Sequence, residues 1–432
     1  MTSARLLPFL ESLPRRARFG MVLGLDRMVD ALAKLGNPHL VIPFVHIAGT
    51  NGKGSTSAMV AQILQSAGLR TGLYTSPHLC RLAERVRIEG EPVEDEVFAE
   101  AFERVMMAAP ENATFFEILT LAAFVVFELA RVDVGVLEVG LGGRLDATNV
   151  VPKPLGTAIT SIAFDHTAIL GSTLSAIARE KAGIFKKDVP VVLGPLDPEA
   201  LTVALDTARS VGASPVVCVE NSAGDGRISV NLRDDETEIV LPSGIQVRSK
   251  LSLAGTHQMA NAAVAVGLAE CAAKAFPQIL PVIGEGLSKT QWPGRLERIE
   301  LEGKTVLLDC AHNPHGAEAL ATYVQKQGWS AERVVLVFGA LADKSWSAML
   351  DLVGPLAERR VYASPKGRAP APLEEMTARF SGTTVVEPRE AIARALAWAQ
   401  AGELVLVTGS IFLVGEVRSE LLGLECDPIV AL

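Results

Sequence analysis

The chain has 432 residues, of which 49% are hydrophobic and 21% are charged, as in ordinary globular proteins. At roughly 150 residues per domain, this length predicts two or three domains, each with its own core. The 40 basic and 49 acidic residues give a net charge of −9, which argues against a general affinity for nucleic acid or for anionic membranes.

Cysteine usage and the apolar segments bear on the cellular compartment. The five cysteines stand far apart, without a CxxC pair or a Cys/His cluster, so neither structural zinc nor a disulfide framework is expected. Residues 1–20 contain no apolar segment of signal-peptide length. The most apolar stretch, residues 118–127, is too short to span a bilayer and predicts a buried helix. We therefore expect a cytoplasmic protein without nucleic-acid or membrane partners.

The predicted elements from about residue 41 onward alternate between strands and helices. VIPFVHIAG is typical of a buried strand, and SAMVAQILQSAG is typical of a helix that ends at Gly68. Further buried strands are predicted in RTGLYTS, VDVGVLEVG and GTAITSI. This alternation predicts an α/β fold with a mostly parallel sheet and helices on both faces.

The pattern changes over residues 226–253. The segments RISVNL, TEIVLP and IQVRSKL are short, alternate in polarity and are separated by turns, so they predict a small antiparallel section at the edge of the sheet. HQMANAAVAVGLAECAAKAF then predicts a long helix.

A Pro-Gly pair in QWPGR interrupts the chain and predicts a domain boundary. Beyond it, strands are predicted in TVLLD, RVVLVFG, RRVYAS, TTVVEP and LVLVTG. We therefore predict a larger α/β domain over residues 1–292 and a smaller Rossmann-like α/β domain over residues 297–432. A ligand is expected in the cleft between them.

Residues 49–56, GTNGKGST, lie between a predicted strand and a predicted helix. The backbone N–H groups of such a glycine-rich turn can converge on phosphate oxygens, and the helix N-terminus and Lys53 add positive charge. The match to GxxxxGK[ST] is imperfect, because Ile47 takes the place of the first glycine and Gly54 separates Lys53 from Ser55. The alternative interpretation is a turn that only caps the helix.

Further polar side chains follow the predicted strands, where the ligand crevice of an open parallel sheet forms. They are Ser76 and His78 in TSPHL, Glu138 in LEVGLGG, His166 in FDHTAILG and Lys181 in REKAG. Each has a structural interpretation: a helix N-cap for Ser76, an ion pair for Glu138, a hydrogen-bonded loop histidine for His166 and a solvated lysine for Lys181. Their joint occurrence behind a phosphate loop favours a Mg²⁺ site.

Nine ordered motifs resemble those of the Mur ligase superfamily, specifically its folate branch of folylpolyglutamate synthases and dihydrofolate synthases. They are HIAGTNGKGST, LYTSPHL, EVGLGGRLDATN, DHTAILG, EKAGIFK, HQMANAAVA, WPGRLE, LLDCAHNPHG and TGSIFLVGE. The resemblance runs from about residue 24 to residue 415 and thins between residues 195 and 250. GTNGKGS is the folate branch's own form of the phosphate loop, which explains the departure from the general motif.

The resemblance implies that residues 1–292 form a P-loop ATP-binding domain of the Mur ligase type and that residues 297–432 form the ligase domain on the glutamate-binding side. It also implies that ATP lies between the two domains. The implied nucleotide-binding residues are Gly52, Lys53, Gly54, Ser55, Asn261, Arg295 and Asp309. The implied magnesium ligands, for two ions, are Ser76, Glu138, His166 and Lys181. Lys181 matches a lysine that CO₂ carboxylates, and a carbamate would convert this cation into an oxygen ligand. A bound monovalent cation is a further expectation.

The implied reaction transfers the γ-phosphoryl group of ATP to a substrate carboxylate, and the amino group of L-glutamate then attacks the acyl phosphate. Domain closure would exclude water from this intermediate. The implied catalytic residues are Lys53, His166, Lys181 and His312. The implied substrates are dihydropteroate, reduced folates and L-glutamate, and a monomer is expected.

The resemblance also implies substrate contacts. The residues implied are Leu25, Asp26, Arg27, Phe116, Glu117, Arg144, Asp146, Asn313 and Ser410. Phe116 either stacks on a flat pterin ring or is a core aromatic of the following helix, and Arg144 and Asp146 either border the pocket or pair with each other. Two departures from the family pattern, Phe412 in place of tyrosine and Ser345 in place of an acidic residue, concern glutamate recognition.

Three alternatives remain beside a bifunctional folate ligase. A peptidoglycan Mur ligase would carry a UDP-sugar-binding domain before the phosphate loop, and only 48 residues precede Gly49. Sequence poorly distinguishes a bifunctional enzyme from a folate enzyme that adds only the later glutamates. A nucleotide-binding regulator without catalysis would be expected to lack Lys53, Glu138, His166 or Lys181. We therefore predict an ATP-dependent ligase that adds glutamate to dihydropteroate and to reduced folates.

Overall fold

A computed structural model describes residues 5–11, 24–220 and 226–427. The chain divides into two compact units. The first runs up to Pro77 and continues through Leu82–Ser252 and His257–Gln291. The second consists of His78–Arg81, Leu253–Thr256 and the chain from Trp292 onward.

The first unit is built on one large sheet. Its strands are β1 (Phe44–Ala48), β2 (Thr71–Tyr74), β3 (Val86–Ile88), β4 (Glu91–Pro92), β5 (Val134–Glu138), β6 (Gly156–Ile159), β7 (Val191–Leu193), β8 (Val216–Glu220), β9 (Arg227–Arg233), β10 (Glu236–Val240) and β11 (Gln246–Ser249). Its helices are α1 (Asp26–Lys34), α2 (Lys53–Ser66), α3 (Asp95–Ala108), α4 (Phe115–Leu129), α5 (Thr167–Leu170), α6 (Leu174–Ala182), α7 (Pro198–Val211), α8 (His257–Ala273) and α9 (Ile283–Lys289). Short 3₁₀ helices cover Pro38–Leu40, Leu82–Arg85, Ala147–Val150 and Pro277–Val282.

The strand order of this sheet is β11-β10-β9-β8-β7-β6-β1-β5-β2-β3-β4. The strands from β9 through β8, β7, β6, β1 and β5 to β2 pair in parallel. The mostly parallel sheet and the antiparallel section predicted over residues 226–253 are thus confirmed, since β9, β10 and β11 pair antiparallel at one end. A second antiparallel section, β2-β3-β4, lies at the other end and had no clear signal in the sequence.

Apolar residues on both faces of the central strands explain this layout. Every residue of β1 and of β5 is buried, as parallel strands covered by helices on both sides require. Residues 118–127 form the buried middle of α4, as predicted. Across the described ranges, no helix is long and apolar enough to cross a membrane.

The second unit is a smaller α/β layer structure. Its strands are β12 (Glu297–Leu301), β13 (Lys304–Leu308), β14 (Val334–Phe338), β15 (Arg359–Tyr362), β16 (Thr383–Thr384) and β17 (Leu404–Thr408). Its helices are α10 (Pro314–Lys326), α11 (Trp346–Val353), α12 (Leu373–Arg379), α13 (Pro388–Trp398) and α14 (Ile411–Leu422), with 3₁₀ turns at Ala331–Arg333 and Gly354–Leu356.

This second sheet has the order β12-β13-β17-β14-β15-β16 and is parallel except for the β12–β13 pair. Alternate residues of β14 enter different cores: Leu336 and Phe338 pack in one, Val335 and Val337 in the other. Helices therefore cover both faces, and the predicted Rossmann-like α/β architecture is confirmed. The segment TTVVEP forms only a two-residue strand at the sheet edge.

Candidate active site

The phosphate loop connects the carboxyl end of β1 to the first residue of α2, Lys53. Two of its glycines stand where no side chain would fit. A Cβ atom on Gly49 would lie 2.0 Å from Thr160 Oγ1, and one on Gly52 would lie 2.3 Å from Asn261 Oδ1. Gly52 also has φ of 86°, a conformation that favours glycine. Close packing around the loop therefore explains both glycines.

Hydrogen bonds to the segment after β6 hold the loop. The Asn51 carbonyl accepts from Thr160 Oγ1 at 2.7 Å and from Ser161 Oγ at 3.0 Å. The Thr50 N–H donates to the Ser161 carbonyl at 2.8 Å. Lys53 Nζ folds back and donates to the Thr50 carbonyl at 3.1 Å. An ammonium group therefore lies over a fixed turn at the start of a 14-residue helix, as an anion site requires.

Helix α8 contributes polar groups to the same loop. Asn261 Nδ2 donates to Gln258 Oε1 at 2.9 Å, and Gln258 Nε2 donates to Ser55 Oγ at 3.4 Å. Asn261, Gly52 and Ser55, predicted as nucleotide-binding residues from distant motifs, are therefore close together. Gln258 was not predicted as a site residue, although its position in the HQMAN motif, three residues before Asn261, could have indicated it.

Two predicted metal ligands lie at adjacent strand ends. Glu138 ends β5, Ser76 follows β2, and these strands pair in parallel. The Ser76 N–H donates to Glu138 Oε2 at 3.3 Å, and Glu138 is only 4% exposed. No helix starts directly after Ser76, since the next helical segment is Leu82–Arg85, so the interpretation of Ser76 as a helix N-cap is wrong.

Lys181 is buried in the last turn of α6, so its interpretation as a solvated lysine is wrong. Its Nζ donates to the Gly49 carbonyl at 2.8 Å. Burial, reinforced by the positive charge of Lys53, lowers the pKa of Lys181 to about 7, while Asp165 and Asp146 oppose this shift. A substantial neutral fraction therefore exists near neutral pH.

His166 lies on the loop after β6, with φ of 50°. Its backbone N–H donates to Asp165 Oδ1 at 2.9 Å, and its Nε2 lies 3.8 Å from the same oxygen. Asp165 was not predicted, although it directly precedes His166 in the FDHTAILG motif. Within the described part of the chain, no group of three or more His, Cys, Asp and Glu side chains could hold a metal ion. The magnesium site therefore stays a prediction that also depends on Ser76 and Lys181.

Arg27 and Glu117, two of the predicted pterin-binding residues, form an ion pair across the fold. Arg27 Nη2 lies 2.7 Å from Glu117 Oε1, and Arg27 Nε also donates to this carboxylate. Glu117 forms a capping box with Thr114 at the start of α4. Leu25 precedes α1 and Asp26 begins it, so the GLDR segment and α4 meet at this pair.

Phe116 lies at the start of α4 and is half-buried. A Cβ atom on Gly140 would lie 2.4 Å from its ring, and the Tyr74 ring centroid is 6.0 Å away. The ring therefore covers the backbone just after Glu138 and keeps a partly open surface. Its stacking on a pterin stays a prediction.

Arg144 and Asp146 do not pair with each other, so that alternative is wrong. Arg144 Nη2 lies 3.0 Å from Glu180 Oε1. Asp146 is buried and accepts from the Leu141 N–H at 2.9 Å and from Thr148 Oγ1 at 2.6 Å. Desolvation raises the pKa of Asp146, and these hydrogen bonds oppose the shift. Contact of Asp146 with a substrate stays a prediction.

A buried histidine that was not predicted extends this hydrogen-bond chain. His46 Nε2 lies 2.8 Å from Thr148 Oγ1. Burial lowers the pKa of His46 to about 3, so the ring is neutral. Because the Thr148 hydroxyl donates to Asp146, His46 Nε2–H must donate to Thr148.

The second unit places Asp309 directly after β13. Its carboxylate accepts from the Leu296 N–H at 3.0 Å and from the Ala311 N–H at 2.9 Å. The Cys310 N–H donates to the Gly294 carbonyl at 2.9 Å. Asp309 and Cys310 thus bind the two residues that flank Arg295, Leu296 and Gly294.

Two predicted substrate-binding residues cap helices in this unit. Asn313 Oδ1 accepts from the Gly316 N–H at 2.9 Å at the start of α10, and Ser410 Oγ accepts from the Phe412 N–H at 3.2 Å at the start of α14. His312 Nδ1 lies 3.0 Å from the Cys310 carbonyl, to which it donates. Because β13 and β17 are neighbours, these residues follow adjacent strand ends.

Family comparisons cover both units. The Mur ligase middle domain matches residues 47–269, and the Mur ligase glutamate ligase domain matches residues 294–411. A Bacillus subtilis protein named dihydrofolate synthase/folylpolyglutamate synthase is 37% identical over 434 residues, which cover 94% of this chain and 96% of that protein. The chain belongs to this folate branch of the Mur ligase family. It is an ATP-dependent ligase, as predicted.

Two further relatives support this family assignment. A folylpolyglutamate synthase from Lacticaseibacillus casei is 35% identical over 442 residues, which cover 98% of this chain and 99% of that protein. A solved structure of Escherichia coli FolC in complex with DHPP and ADP superposes with a TM-score of 0.87 at 32% identity, covering 98% and 99% of the two chains. The ligase therefore shares its fold over nearly its whole length with a nucleotide-binding relative.

Proposed function

We propose that this ligase joins L-glutamate to 7,8-dihydropteroate and to reduced folates, using ATP and an acyl-phosphate intermediate. The observation that carries the proposal is that Lys53 and Lys181 both contact one phosphate loop, with Glu138 at the end of the neighbouring strand β5. The B. subtilis relative, matched over nearly its whole length, is named for both activities.

The chain's own groups supply most of the chemistry of the first step. Backbone N–H groups at the start of α2 and the Lys53 ammonium would bind the phosphates of ATP. Arg295 would offset the charge that spreads over the transferring phosphoryl group, and Asn261 and Asp309 would orient the nucleotide. The acceptor carboxylate oxygen attacks the γ-phosphorus, the bond to the β-phosphate oxygen breaks, and ADP leaves.

The second step forms the amide bond. The amino group of glutamate attacks the acyl carbon, inorganic phosphate leaves, and the ammonium-derived protons pass to solvent or to a nearby base. We propose His312, Asn313 and Ser410 for the glutamate side of the site. For the pterin we propose the Arg27–Glu117 pair, Phe116 and Asp146, with Leu25, Asp26 and Arg144 at its border.

Magnesium would be held by Ser76, Glu138 and His166. A buried carboxylate and a hydroxyl at adjacent strand ends fit a hard, oxygen-preferring cation. When bound, two such ions would offset the negative charge of the triphosphate. A monovalent cation, a monomeric state and a cytoplasmic location are further parts of this proposal, without nucleic-acid or membrane partners.

Lys181 would act as a carbamate. Only a neutral amine attacks CO₂, and burial lowers the pKa of Lys181 to about 7. The nitrogen–carbon bond forms, one proton leaves to solvent, and an anionic oxygen ligand replaces a cation beside Gly49 and the phosphate site.

Phosphate release from ATP tests the function. The assay contains glutamate and either dihydropteroate or tetrahydrofolate as the acceptor. Release with both acceptors is the expected result. Release with tetrahydrofolate alone would favour the second candidate, a polyglutamate-extending enzyme, which the L. casei relative's name supports. Release with neither acceptor would contradict both.

A further inference from the structure

The turn that carries Arg295 is fixed by its neighbours. The Gly294 N–H donates to Glu297 Oε2 at 2.7 Å, and the Gly294 carbonyl accepts from the Cys310 N–H at 2.9 Å. Gly294 has φ of 72°, and a Cβ atom there would lie 2.7 Å from Cys310 Sγ. Both polar groups of Gly294 are therefore used to set the direction in which the chain enters Arg295.

The residue after Arg295 is strained. Leu296 is buried and has φ of 48°, which is rare for a bulky residue. Its N–H donates to Asp309 Oδ2 at 3.0 Å. Such a conformation persists only when the surrounding structure holds it, and it is typical of positions that place a functional group.

Arg295 itself is half-buried and has a free guanidinium. Among the residues that the structure describes, its side chain forms neither a hydrogen bond nor an ion pair. A planar, permanently charged group with five donors suits phosphate oxygens. A fixed turn therefore presents an unpaired cation, which is the arrangement expected of a preorganised anion contact.

An ion pair from α14 completes this turn. Arg418 Nε lies 2.9 Å from both oxygens of Glu297. The two side chains are only 16% and 20% exposed, so solvent screens this pair less than a surface pair. Glu297 thus joins Arg418 to the Gly294 N–H.

We propose that Arg418 is a positioning residue: through Glu297 and Gly294 it holds Arg295 in the orientation that binds the nucleotide phosphates. Without Arg418, the Glu297 carboxylate would be partly buried without its counter-charge and would turn toward water, so that the Gly294 N–H loses its acceptor. The inference rests on the nucleotide contact proposed for Arg295.

The same unit offers a matched control. Arg359 Nη2 lies 2.7 Å from Glu403 Oε2, and Glu403 also accepts a backbone N–H from three residues earlier, that of Gln400, at 2.8 Å. These side chains are 30% and 14% exposed. The pair lies at the amino ends of β15 and β17, whereas Asp309 follows the carboxyl end of β13. Arg359 also donates to the carbonyls of Trp398 and Glu332. The pair therefore matches the arginine–glutamate–backbone arrangement of Arg418 and Glu297 at the opposite edge of the sheet.

The test compares Arg418→Met with Arg359→Met in the full chain. Binding of a nonhydrolysable ATP analogue is titrated, and the KM values for ATP and glutamate are measured with kcat. We expect Arg418→Met to weaken analogue binding and raise the KM for ATP by about tenfold, the effect of weakening a charge-assisted contact, with an unchanged KM for glutamate. Arg359→Met is expected to lower the melting temperature without changing either nucleotide parameter. Equal nucleotide effects in the two variants would overturn the inference.

A double-mutant cycle separates positioning from a general loss of stability. If Arg418 acts through Arg295, Arg418→Met should have no further effect on nucleotide binding in an Arg295→Met background. Full additivity would overturn the inference while leaving the Arg295 contact intact. Wild-type binding by Arg295→Met alone would instead refute the nucleotide contact in the proposed function. Glu297→Ala, which removes both the partner of Arg418 and the acceptor of the Gly294 N–H, provides the same test should Arg418→Met not fold.

Discussion

The Nζ atom of Lys181 donates a 2.8 Å hydrogen bond to the carbonyl oxygen of Gly49. This contact joins the last turn of α6 to the first residue of the phosphate loop. In the described part of the chain, the acceptor of the buried Lys181 ammonium is thus a backbone carbonyl rather than a carboxylate. A low pKa follows from that environment, since a carbonyl dipole compensates desolvation less than an opposite charge does.

The first prediction concerns the pH dependence of stability. The ordinary pKa of a lysine is 10.5, and that of folded Lys181 is about 7. Between these values the unfolded chain binds more protons than the folded chain, so the contribution of Lys181 to stability rises with pH. We therefore compare the free energy of unfolding of the wild type with that of Lys181→Met. The wild-type value minus the variant value should rise by about 1–2 kcal/mol between about pH 7.5 and about pH 9.

Urea unfolding of the two proteins in CO₂-free buffer measures this difference. Removing CO₂ keeps the amine unmodified, so that only its protonation changes. A difference that stays constant across this pH range would show that the Lys181 ammonium is not destabilised by burial.

The second prediction concerns Lys53. Lys53→Ala removes the ammonium group over the phosphate loop while leaving the backbone of α2 intact, because alanine is a good helix former. Turnover should be lost, and the thermal unfolding transition should be nearly unchanged. Phosphate release and circular dichroism measure the two properties. Full activity in this variant would remove the loop from the active site.

The third prediction concerns Glu138. Glu138→Ala removes the carboxylate that accepts from the Ser76 N–H. Activity should require more magnesium or disappear, because an oxygen ligand of the cation is lost. A magnesium titration of phosphate release provides the measurement. A midpoint equal to that of the wild type would discredit the proposed ligand set.

The fourth prediction separates strain from crowding at Gly52. Gly52→Ala places a methyl group 2.3 Å from Asn261 Oδ1, at φ of 86°. Gly36→Ala is the matched control, with φ of 84° and no atom within 4 Å of the new Cβ. Both variants should lose about 1–2 kcal/mol from the left-handed backbone conformation. Only Gly52→Ala should also lose ADP affinity, since Asn261 and the loop must shift.

ADP titrations and denaturant unfolding of both variants test this prediction. Equal ADP affinities for the two variants would mean that close packing between the loop and α8 has no part in nucleotide binding.

Local sequence determined much of the fold. The buried strands β1, β5 and β6 were predictable from continuous apolar runs, because strands covered on both faces need apolar side chains in every position. The loop at residues 49–56 was predictable from glycines and a lysine between a strand and a helix. The ordered motifs were sufficient to identify the family, and the comparisons with known proteins confirm it.

Tertiary structure decided which side chains meet. Local spacing carries no information on partners that are distant in the chain, and the order β6-β1-β5-β2 brings their carboxyl ends side by side. Helices α6 and α8 likewise bring together residues that are distant in the chain: Lys181 with Gly49, Glu180 with Arg144, and Asn261 with Gly52. Local sequence thus predicted the central strands, the phosphate loop and the chemistry of its residues, but not the edge strands β3 and β4. Only the folded sheet and its helices determined the partners of these residues, because those contacts depend on long-range packing rather than on local propensity.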